Sequence, residues 1–272
     1  MAHVTSTFSA ADGDDYELQM GRWSRVLAGS FLEFTGLSDI GQILDAGCGT
    51  GALSAEIIRR TKSAEIVGVD ISEAYIAHAT ATTNDPRAAF KNGDLTSLPF
   101  SDATFHQVFS QLVLLFVPDS DRAISELIRV TEPGGTVSAA TWDTRGGLTF
   151  NRFFMDTAAM LDSAAEKLRQ RMFTRPLTRP GELANAWEAA GLVDLKIGEV
   201  TIRTDFASFD DYWAPFDGED GAVPAYLRSV TPGMRGQIKE AVRRAYLDGE
   251  ADGPRSYTAT AWVAAGKKPN LD

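Results

Sequence analysis

Apolar positions in the first half of the chain alternate between two spacings, one typical of buried strands and one of amphipathic helices. Short apolar runs that end in glycine, acidic or turn residues predict five strands, at 42–46, 65–69, 88–91, 105–110 and 136–142. Apolar residues at helical spacing predict helices between them, at 52–61, 73–83 and 119–130. Strands separated by about a dozen helical residues form parallel βαβ units, so the pattern predicts an α/β sheet.

Further elements are predicted on both sides of this alternating region. A helix over 16–34 should end at Gly36, and a helix over 179–190 should begin with Pro180 in its first turn and stop at Gly191. Two more strands are expected, at 192–203 and 257–263. The remaining segments are rich in aromatic residues, proline and glycine, and we expect them to be lid insertions rather than a separate domain. They are 143–178 and 204–254.

The composition restricts the classes of partner. The net charge is −11, from 26 basic and 37 acidic residues, and such a surface repels nucleic acids and anionic membranes. Cys48 is the single cysteine, which precludes an intramolecular disulfide. The first fifteen residues contain neither a basic start nor an apolar run, and no stretch reaches the roughly 18 apolar residues of a membrane span. A cytoplasmic location is therefore the default expectation.

The strongest motif is the glycine-rich run LDAGCGTG at 44–51, which joins the first predicted strand to the first helix of the alternating region. Gly47, Gly49 and Gly51 allow a sharp turn and the close approach of a ligand to the backbone. Asp70 follows the next strand, where a carboxylate accepts the ribose hydroxyls of a nucleoside. A tight turn without a ligand is the alternative, and the register of Asp70 argues against it.

The glycines alone do not distinguish a dinucleotide from S-adenosylmethionine (SAM), because Gly47, Gly49 and Ala52 also satisfy the relaxed GxGxxG/A pattern. Asp45 precedes the loop, where it should repel a pyrophosphate but favour the sulfonium and ammonium of SAM. Asp94, after the third strand, is placed to accept the adenine amino group. SAM is therefore the favoured cofactor, and a NAD(P)-dependent oxidoreductase is the competing hypothesis.

Five motifs between residues 43 and 135 together resemble one family: ILDAGCGTG, IVGVDIS, NGDLTSLPF, LLFVPD and RVTEPGG. In this order and spacing the sequence resembles class I SAM-dependent methyltransferases, most closely the bacterial small-molecule group related to ubiquinone/menaquinone methyltransferases. The N-terminal YELQMGRWSR is similar to the segment that precedes the core in many relatives. His106, where relatives usually have aspartate, is a minor departure.

The resemblance implies a Rossmann-like α/β fold, in which a mostly parallel seven-stranded sheet with an antiparallel last strand has helices on both faces. The expected organisation assigns 1–36 to an N-terminal helical cap and 37–142 to the SAM-binding core. That core continues in 179–203 and ends in 255–272, with the last strand and a tail. The two lid insertions interrupt it.

The resemblance also assigns roles at the methionine end of SAM. The three glycines of the loop should face the methionyl part, and Asp45 should stabilise the loop or the ammonium. Arg22 is the candidate partner of the SAM carboxylate, and Ser110 and Gln111 should border the methyl donor.

At the nucleoside end, the resemblance assigns the ribose to Asp70 and packing on the adenine to Ile71. Asp94 and the backbone of Leu95 should read the adenine edge. No metal site is expected, because the acidic runs at 12–15 and 217–220 are interpreted as solvated.

Methyl transfer from SAM is an in-line displacement, in which the protein mainly positions the acceptor and excludes water. No general base is evident. For His3, His78 and His106, a structural role is favoured over a catalytic one. Aromatic residues are candidates to wall a pocket for a small-molecule acceptor, although ordinary packing is an equal alternative for each. They are Trp23, Phe150, Phe153, Phe154, Phe173, Tyr212, Trp213, Phe216 and Tyr226. Trp23 is also a candidate to shelter the sulfonium.

The sequence therefore predicts a methyltransferase that acts on a small molecule at carbon, oxygen or nitrogen. A non-catalytic SAM-binding protein remains the third hypothesis. Neither the acceptor nor the oligomeric state follows from the sequence.

Overall fold

The computed structural model describes residues 6–7 and 13–270, and its centre is one seven-stranded sheet. Its strands are β1 Gln42–Ala46, β2 Glu65–Asp70, β3 Ala88–Asn92, β4 Phe105–Gln111, β5 Thr131–Trp142, β6 Val193–Phe206 and β7 Arg255–Lys267. They lie in the order β3-β2-β1-β4-β5-β7-β6. Only β7 runs antiparallel to its neighbours, β5 and β6. The predicted Rossmann-like sheet with an antiparallel last strand is confirmed.

Helices connect the strands and extend from both ends of the alternating region. They are α1 Gly13–Tyr16, α2 Arg22–Thr35, α3 Ala52–Arg60, α4 Glu73–Thr82, α5 Ser120–Val130, α6 Thr149–Leu161, α7 Ser163–Phe173, α8 Glu182–Ala189, α9 Phe209–Trp213, α10 Ala222–Ser229 and α11 Pro232–Leu247. A π-helical turn at Glu17–Gly21 joins α1 to α2, and 3₁₀ turns occupy Leu114–Phe116 and Ala214–Asp217.

Two hydrophobic cores lie on opposite faces of the sheet, because successive side chains of a strand point to opposite sides. Ile43 of β1 belongs to one core together with Leu27 of α2. Its neighbour Leu44 belongs to the other core, with Leu127 of α5 and Trp187 of α8. All five of these side chains are fully buried. The helices on both faces agree with the predicted fold class.

Three local details differ from the sequence prediction. Pro180 precedes α8 instead of lying in its first turn, because Gly181 at φ +81° is the residue that caps the helix. Strand β5 begins at Thr131, ahead of the predicted turn, and Gly134 at φ +75° accompanies an irregular register with β4. The predicted helix over 16–34 is divided by the π-helical turn at Glu17–Gly21, so that α2 begins at Arg22.

The two predicted insertions consist of helices that pack on the same core as the sheet. Residues 143–178 contain α6 and α7, and 204–254 contain the end of β6 and α9 to α11. Phe154 of α6 and Ile238 of α11 are fully buried and belong to the same core as Ile43 of the central strand. The division into domains and a lid role for these helices remain predictions.

Candidate functional site

The glycine loop after β1 is held by two hydrogen bonds to one carbonyl. The amides of Gly47 and Cys48 donate to the Val69 oxygen of β2, at 2.7 and 2.9 Å. Gly47 has φ +79°, and a Cβ atom added there would lie 2.4 Å from Val113 Cγ2. A side chain is therefore excluded at Gly47 both by backbone conformation and by lack of space.

Asp70, at the end of β2, ties the loop to the start of α4. Its Oδ2 accepts the amide of Gly49 at 3.0 Å, and its Oδ1 accepts the amide of Ser72 at 2.9 Å. Burial raises the pKa of this carboxyl, while the two amides oppose the shift. Ser72 caps α4 as predicted, since its hydroxyl accepts the Tyr75 amide at 3.3 Å.

Asp94 lies beyond the end of β3 in an isolated turn. Its Oδ1 accepts both the amide and the hydroxyl of Thr96, each at 2.8 Å. Both bonds use one oxygen, so Oδ2 remains available to a ligand.

These groups surround a cavity of about 720 Å³, which we call the loop cavity. Seven of the eleven residues predicted to contact the cofactor line it: Gly47, Gly49, Asp70, Ile71, Asp94, Leu95 and Gln111. The other lining residues are Ser6, Tyr16, Ser72, Tyr75, Leu112, Val113, Phe116 and Val117. The ends of β1 to β4 thus meet at one site, as parallel strands require.

Four predicted cofactor residues do not line the loop cavity, and Asp45 is the most informative. It is 1% exposed and accepts the Ser54 hydroxyl at 2.7 Å, which fits the first of its two expected roles, support of the loop, and its role towards the ammonium stays a prediction. Burial raises its pKa to about 7. Gly51 instead caps α3, at φ +92°. Ser110 is fully buried, and its hydroxyl has no hydrogen-bond partner among the described residues.

Arg22 is also not among the residues that line the loop cavity. Its Nη1 donates to Asp211 Oδ1 at 2.9 Å. Its guanidinium carbon lies 4.4 Å from the centroid of the Trp23 ring and 4.9 Å from that of Phe206. Only Nη1 is paired in this way: Nε and Nη2 are buried and have no hydrogen-bond partner among the described residues, so the contact with the SAM carboxylate stays a prediction.

Aromatic residues that the sequence did not single out complete one wall of the loop cavity. The rings of Tyr16 and Tyr75 lie 5.1 Å apart, and the Tyr75 hydroxyl donates to Asp220 Oδ2 at 2.7 Å. Burial raises the pKa of Tyr16 to about 12. Asp220 is 1% exposed, so the expectation that the 217–220 run is solvated is wrong at this residue. Tyr16 lies in the segment YELQMGRWSR, but its pairing with Tyr75 is a long-range contact without a local signal.

The electrostatics of the loop cavity suit a cation that has no phosphate. Asp70 and Asp94 are acidic, and the described residues that line the cavity include no lysine, arginine or histidine. Gln111 donates through Nε2 to the Ser24 carbonyl at 3.0 Å. Its Oε1 is buried and has no donor among the described residues. An ammonium group of a ligand fits this unsatisfied acceptor, so the residues present fit SAM.

A second cavity, of about 890 Å³, adjoins the first, and Phe116 lines both. We call it the aromatic cavity. Four of the predicted pocket residues line it: Trp23, Phe150, Tyr212 and Phe216. The other lining residues are Thr7, Gln19, Met20, Leu115, Phe116, Trp142, Thr144, Leu148, Asn151, Met172, Arg175, Phe206, Pro215, Gly221, Ala222 and Val223.

The remaining predicted pocket residues pack elsewhere. Phe153 contacts the ring of Tyr257, and Phe154 stacks on Phe216 from within the core. The Trp213 indole donates to Asp217, and the Tyr226 hydroxyl donates to Asp162. Phe173 is surrounded by the guanidinium groups of three arginines. None of these five residues is among those that line the aromatic cavity, and their contacts are those of ordinary packing.

The aromatic cavity offers few ionisable groups. Its described lining residues include no histidine, cysteine, lysine or carboxylate, and only Arg175 and Tyr212 titrate. The Tyr212 hydroxyl donates to the Phe150 carbonyl at 2.7 Å, and burial holds the pKa of Tyr212 well above its usual value. Neither residue is a base at neutral pH.

Two of the three histidines lie in described elements, and neither is among the residues that line the two cavities. His106 lies at the start of β4, 3.6 Å from Glu132, and His3 lies outside the described residues. His78 belongs to α4. Within the ranges that the structure describes, no three His, Cys, Asp or Glu side chains are grouped to hold a metal ion. No helix in the same ranges combines the length and the apolar composition needed to cross a bilayer.

Comparison with known proteins agrees with this geometry. A family model described as a methyltransferase domain matches residues 43–135. Malonyl-[acyl-carrier protein] O-methyltransferase of Erwinia pyrifoliae is 30% identical over 165 residues, which cover 61% of this chain and 56% of that protein. Ubiquinone/menaquinone biosynthesis C-methyltransferase of Geobacter sulfurreducens is 32% identical over 122 residues, 43% of this chain and 48% of that protein. The matches thus span about half the length of these two relatives.

A solved structure shows the same fold over nearly the whole chain. Haemonchus contortus phosphoethanolamine N-methyltransferase 2, in complex with SAM, superposes with a TM-score of 0.60 at 16% identity. The match covers 95% of this chain and 57% of that one. Residues 43–135 therefore belong to the methyltransferase-domain family, and the fold built around them is that of the class I SAM-dependent methyltransferases.

Proposed function

We propose that the protein transfers the methyl group of SAM to a carbon, oxygen or nitrogen atom of a small acceptor. SAM occupies the loop cavity and the acceptor occupies the aromatic cavity. The observation that supports the proposal is a pair of adjoining cavities that share Phe116. The described lining of the loop cavity contains two carboxylates and no basic residue, whereas that of the aromatic cavity is rich in aromatic side chains. A donor and an acceptor site in contact are what a direct transfer needs.

The residues of the loop cavity divide the recognition of SAM among them. Asp70 accepts the ribose hydroxyls, and Asp94 accepts the adenine amino group through the oxygen that Thr96 does not use. Gln111 Oε1 accepts from the ammonium of the methionine part. The bare backbone at Gly47 and Gly49 lets the ligand approach the chain.

SAM supplies a methyl group that its sulfonium already activates. The chain itself holds the acceptor and excludes water: Trp23, Phe150 and Phe216 wall the aromatic cavity, and Phe116 stands where the two cavities meet. Because the described lining of the aromatic cavity contains no base, the acceptor's nucleophilic atom must be ionised, or carry a free lone pair, before it enters.

Specific observations disfavour the competing functions. The described lining of the loop cavity contains no lysine, arginine or histidine to offset the charge of a pyrophosphate, which argues against a NAD(P)-dependent oxidoreductase. The aromatic cavity argues against a protein that only binds SAM. The net charge of −11 favours a small-molecule acceptor over nucleic acid or an anionic membrane surface, and a cytoplasmic location belongs to the same proposal.

Calorimetric titration with SAM, with S-adenosylhomocysteine and with NADH tests the proposal. We expect the first two ligands to bind and NADH not to bind. Asp94→Asn should weaken S-adenosylhomocysteine by about 10- to 100-fold, because it removes a charge-assisted hydrogen bond. The control Asp121→Asn, on the exposed side of α5, should bind like wild type. Binding of NADH, or no binding of SAM, would overturn the proposal.

A further inference from the structure

Arg175 differs from the other residues of the aromatic cavity. Among the described residues that line this cavity, it is the only one with a basic side chain. Its guanidinium carbon lies 4.5 Å from the centroid of the Phe116 ring. Phe116 lines both cavities, so the cation lies near their junction. With the described residues, the Arg175 side chain forms no hydrogen bond and no ion pair.

Such a cation is costly unless a ligand pairs with it. Arg175 is partly buried, and burial lowers the pKa of its guanidinium to about 10, with no carboxylate nearby to oppose the effect. Other arginines of this region are paired, as Arg152 and Arg169 are with Asp156, at 2.6 and 3.0 Å. The Arg175 nitrogens are not among the fully buried polar atoms, so a ligand in the aromatic cavity can reach them and supply the partner that the other arginines have.

Two further donors line the same cavity without acceptors. The indole nitrogens of Trp23 and Trp142 are buried and have no hydrogen-bond partner among the described residues. The two side chains are 5% and 3% exposed. The lining also contains Thr7, Gln19, Thr144 and Asn151, so Arg175 and the two indoles are donors without acceptors in a wall that is otherwise part polar and part apolar. A ligand that supplies acceptor oxygens satisfies all three.

We propose that the acceptor is a small, mostly apolar molecule that carries one oxyanion group, and that Arg175 binds this group at the junction of the two cavities. The inference rests on the function proposed above and specifies its substrate class. The planar fork of a guanidinium matches the paired oxygens of a carboxylate or a phosphate, which a neutral acceptor lacks. The stacking on Phe116 holds the fork in place.

Binding of matched probes tests the inference directly. Phenylacetate, its neutral analogue phenylacetamide, and phenyl phosphate are titrated by ligand-observed NMR in the presence of saturating S-adenosylhomocysteine. We expect wild type to bind phenylacetate at least about 10-fold more tightly than phenylacetamide. The phenyl phosphate arm distinguishes a phosphate-selective site from a carboxylate-selective one.

Two variants assign the preference to Arg175. Arg175→Met keeps an unbranched apolar side chain against Phe116, and it should abolish the preference while the affinity for S-adenosylhomocysteine stays unchanged. Its stability to urea should equal or exceed that of wild type, whereas a structural arginine would lose stability. The control Arg171→Met, at an exposed position in the last turn of α7, the helix that precedes Arg175, should keep the preference.

The outcomes separate this inference from the proposed function. Equal binding of acid and amide by wild type, or an acid preference that survives Arg175→Met, would refute the oxyanion site even if SAM binds. An acid preference that depends on Arg175, measured in a protein that does not bind S-adenosylhomocysteine, would support the site and refute the methyltransferase proposal.

Discussion

At the scale of single residues, Asp45 of β1 and Gly47 of the loop after it have different roles. Gly47 faces the loop cavity and admits no side chain, because its φ is +79° and Val113 occupies the space beside it. Asp45, two positions earlier, faces the opposite way into the structure and holds Ser54 of α3. The glycine therefore lines the loop cavity, whereas the aspartate joins the end of β1 to α3.

We expect Gly47→Ala to lower the free energy of unfolding by about 3 kcal/mol or more, from left-handed backbone strain and the overlap with Val113. Gly181→Ala is the matched control, since Gly181 has φ +81° but no neighbouring atom within 4 Å. It should cost about 1 kcal/mol, from the strain alone. Urea unfolding measures both losses. Equal losses would contradict the overlap, and Gly47→Ala combined with Val113→Ala should recover part of the difference.

Asp45 should make stability depend on pH in an unusual direction. Its pKa is about 7 in the folded state against 3.8 as the ordinary value, so the folded protein keeps a proton that the unfolded chain loses. This contribution is complete below pH 4 and is lost as the pH rises to about 7. Asp45→Asn removes the titration, so its advantage over wild type should grow by a few kcal/mol between pH 4 and 7 and then level off. Urea unfolding across this range measures it, and a difference independent of pH would contradict the assignment.

At the scale of elements, the N-terminal helix and its π-helical turn connect the loop cavity to the distant 204–254 segment. The ring of Tyr16 of α1 packs at an angle of 49° against that of Tyr75 of α4, and Gln19 of the turn donates to the Asp220 carbonyl at 3.0 Å. Thr50 of the glycine loop donates to Glu17, also in the turn. π-Helical turns within α-helices are frequent at functional sites. Here the short segment brings Tyr16 and Glu17 to the surroundings of the loop cavity and Gln19 to the 204–254 segment.

The hydrogen bond between Tyr75 and Asp220 should carry much of this connection. Tyr75→Phe leaves the carboxylate of a residue that is 1% exposed without one of its donors, so the free energy of unfolding should fall by about 1–3 kcal/mol. Tyr226→Phe breaks a similar bond of 2.7 Å to Asp162, which is only half-buried, and should cost less. Denaturant unfolding of the two variants compares the losses. A larger loss for Tyr226→Phe would refute the role assigned to Asp220.

At the scale of the whole molecule, one hydrophobic core runs from the sheet through the helices of both predicted insertions. Phe109 of β4, Phe154 of α6 and Ile238 of α11 are fully buried members of it. Such a core favours one cooperative unit over a scaffold with separately folding lids.

We therefore expect a single unfolding transition, with the same midpoint by tryptophan fluorescence and by far-ultraviolet circular dichroism. Ile238→Ala in α11 should destabilise the whole molecule by about 2–5 kcal/mol and shift both signals together. Glu240→Ala, on the exposed side of the same helix, should change stability by less than about 0.5 kcal/mol. Two separated transitions would show instead that the insertions unfold on their own.

The sequence predicts those parts of the structure that are coded locally. The five strands of the alternating region follow from apolar runs, and the turn after β1 follows from its glycines, because both signals lie within a few residues of the element they specify. The start of α8 is a local error, because Gly181, next to Pro180, caps the helix. The error at Asp220 is of another kind, because a residue distant in the chain, Tyr75, forms a hydrogen bond with it.

The sequence by itself determined the order of the elements and placed most of the acidic and glycine residues of the loop cavity, since parallel strands bring their carboxyl ends to one edge. Only the tertiary structure decided which aromatic side chains wall the second cavity, that Arg22 pairs with Asp211, and that Arg175 stays without a partner among the described residues. The reason is physical: strand and turn signals act through the backbone over short distances, whereas packing and ion pairs join residues that the chain order keeps far apart.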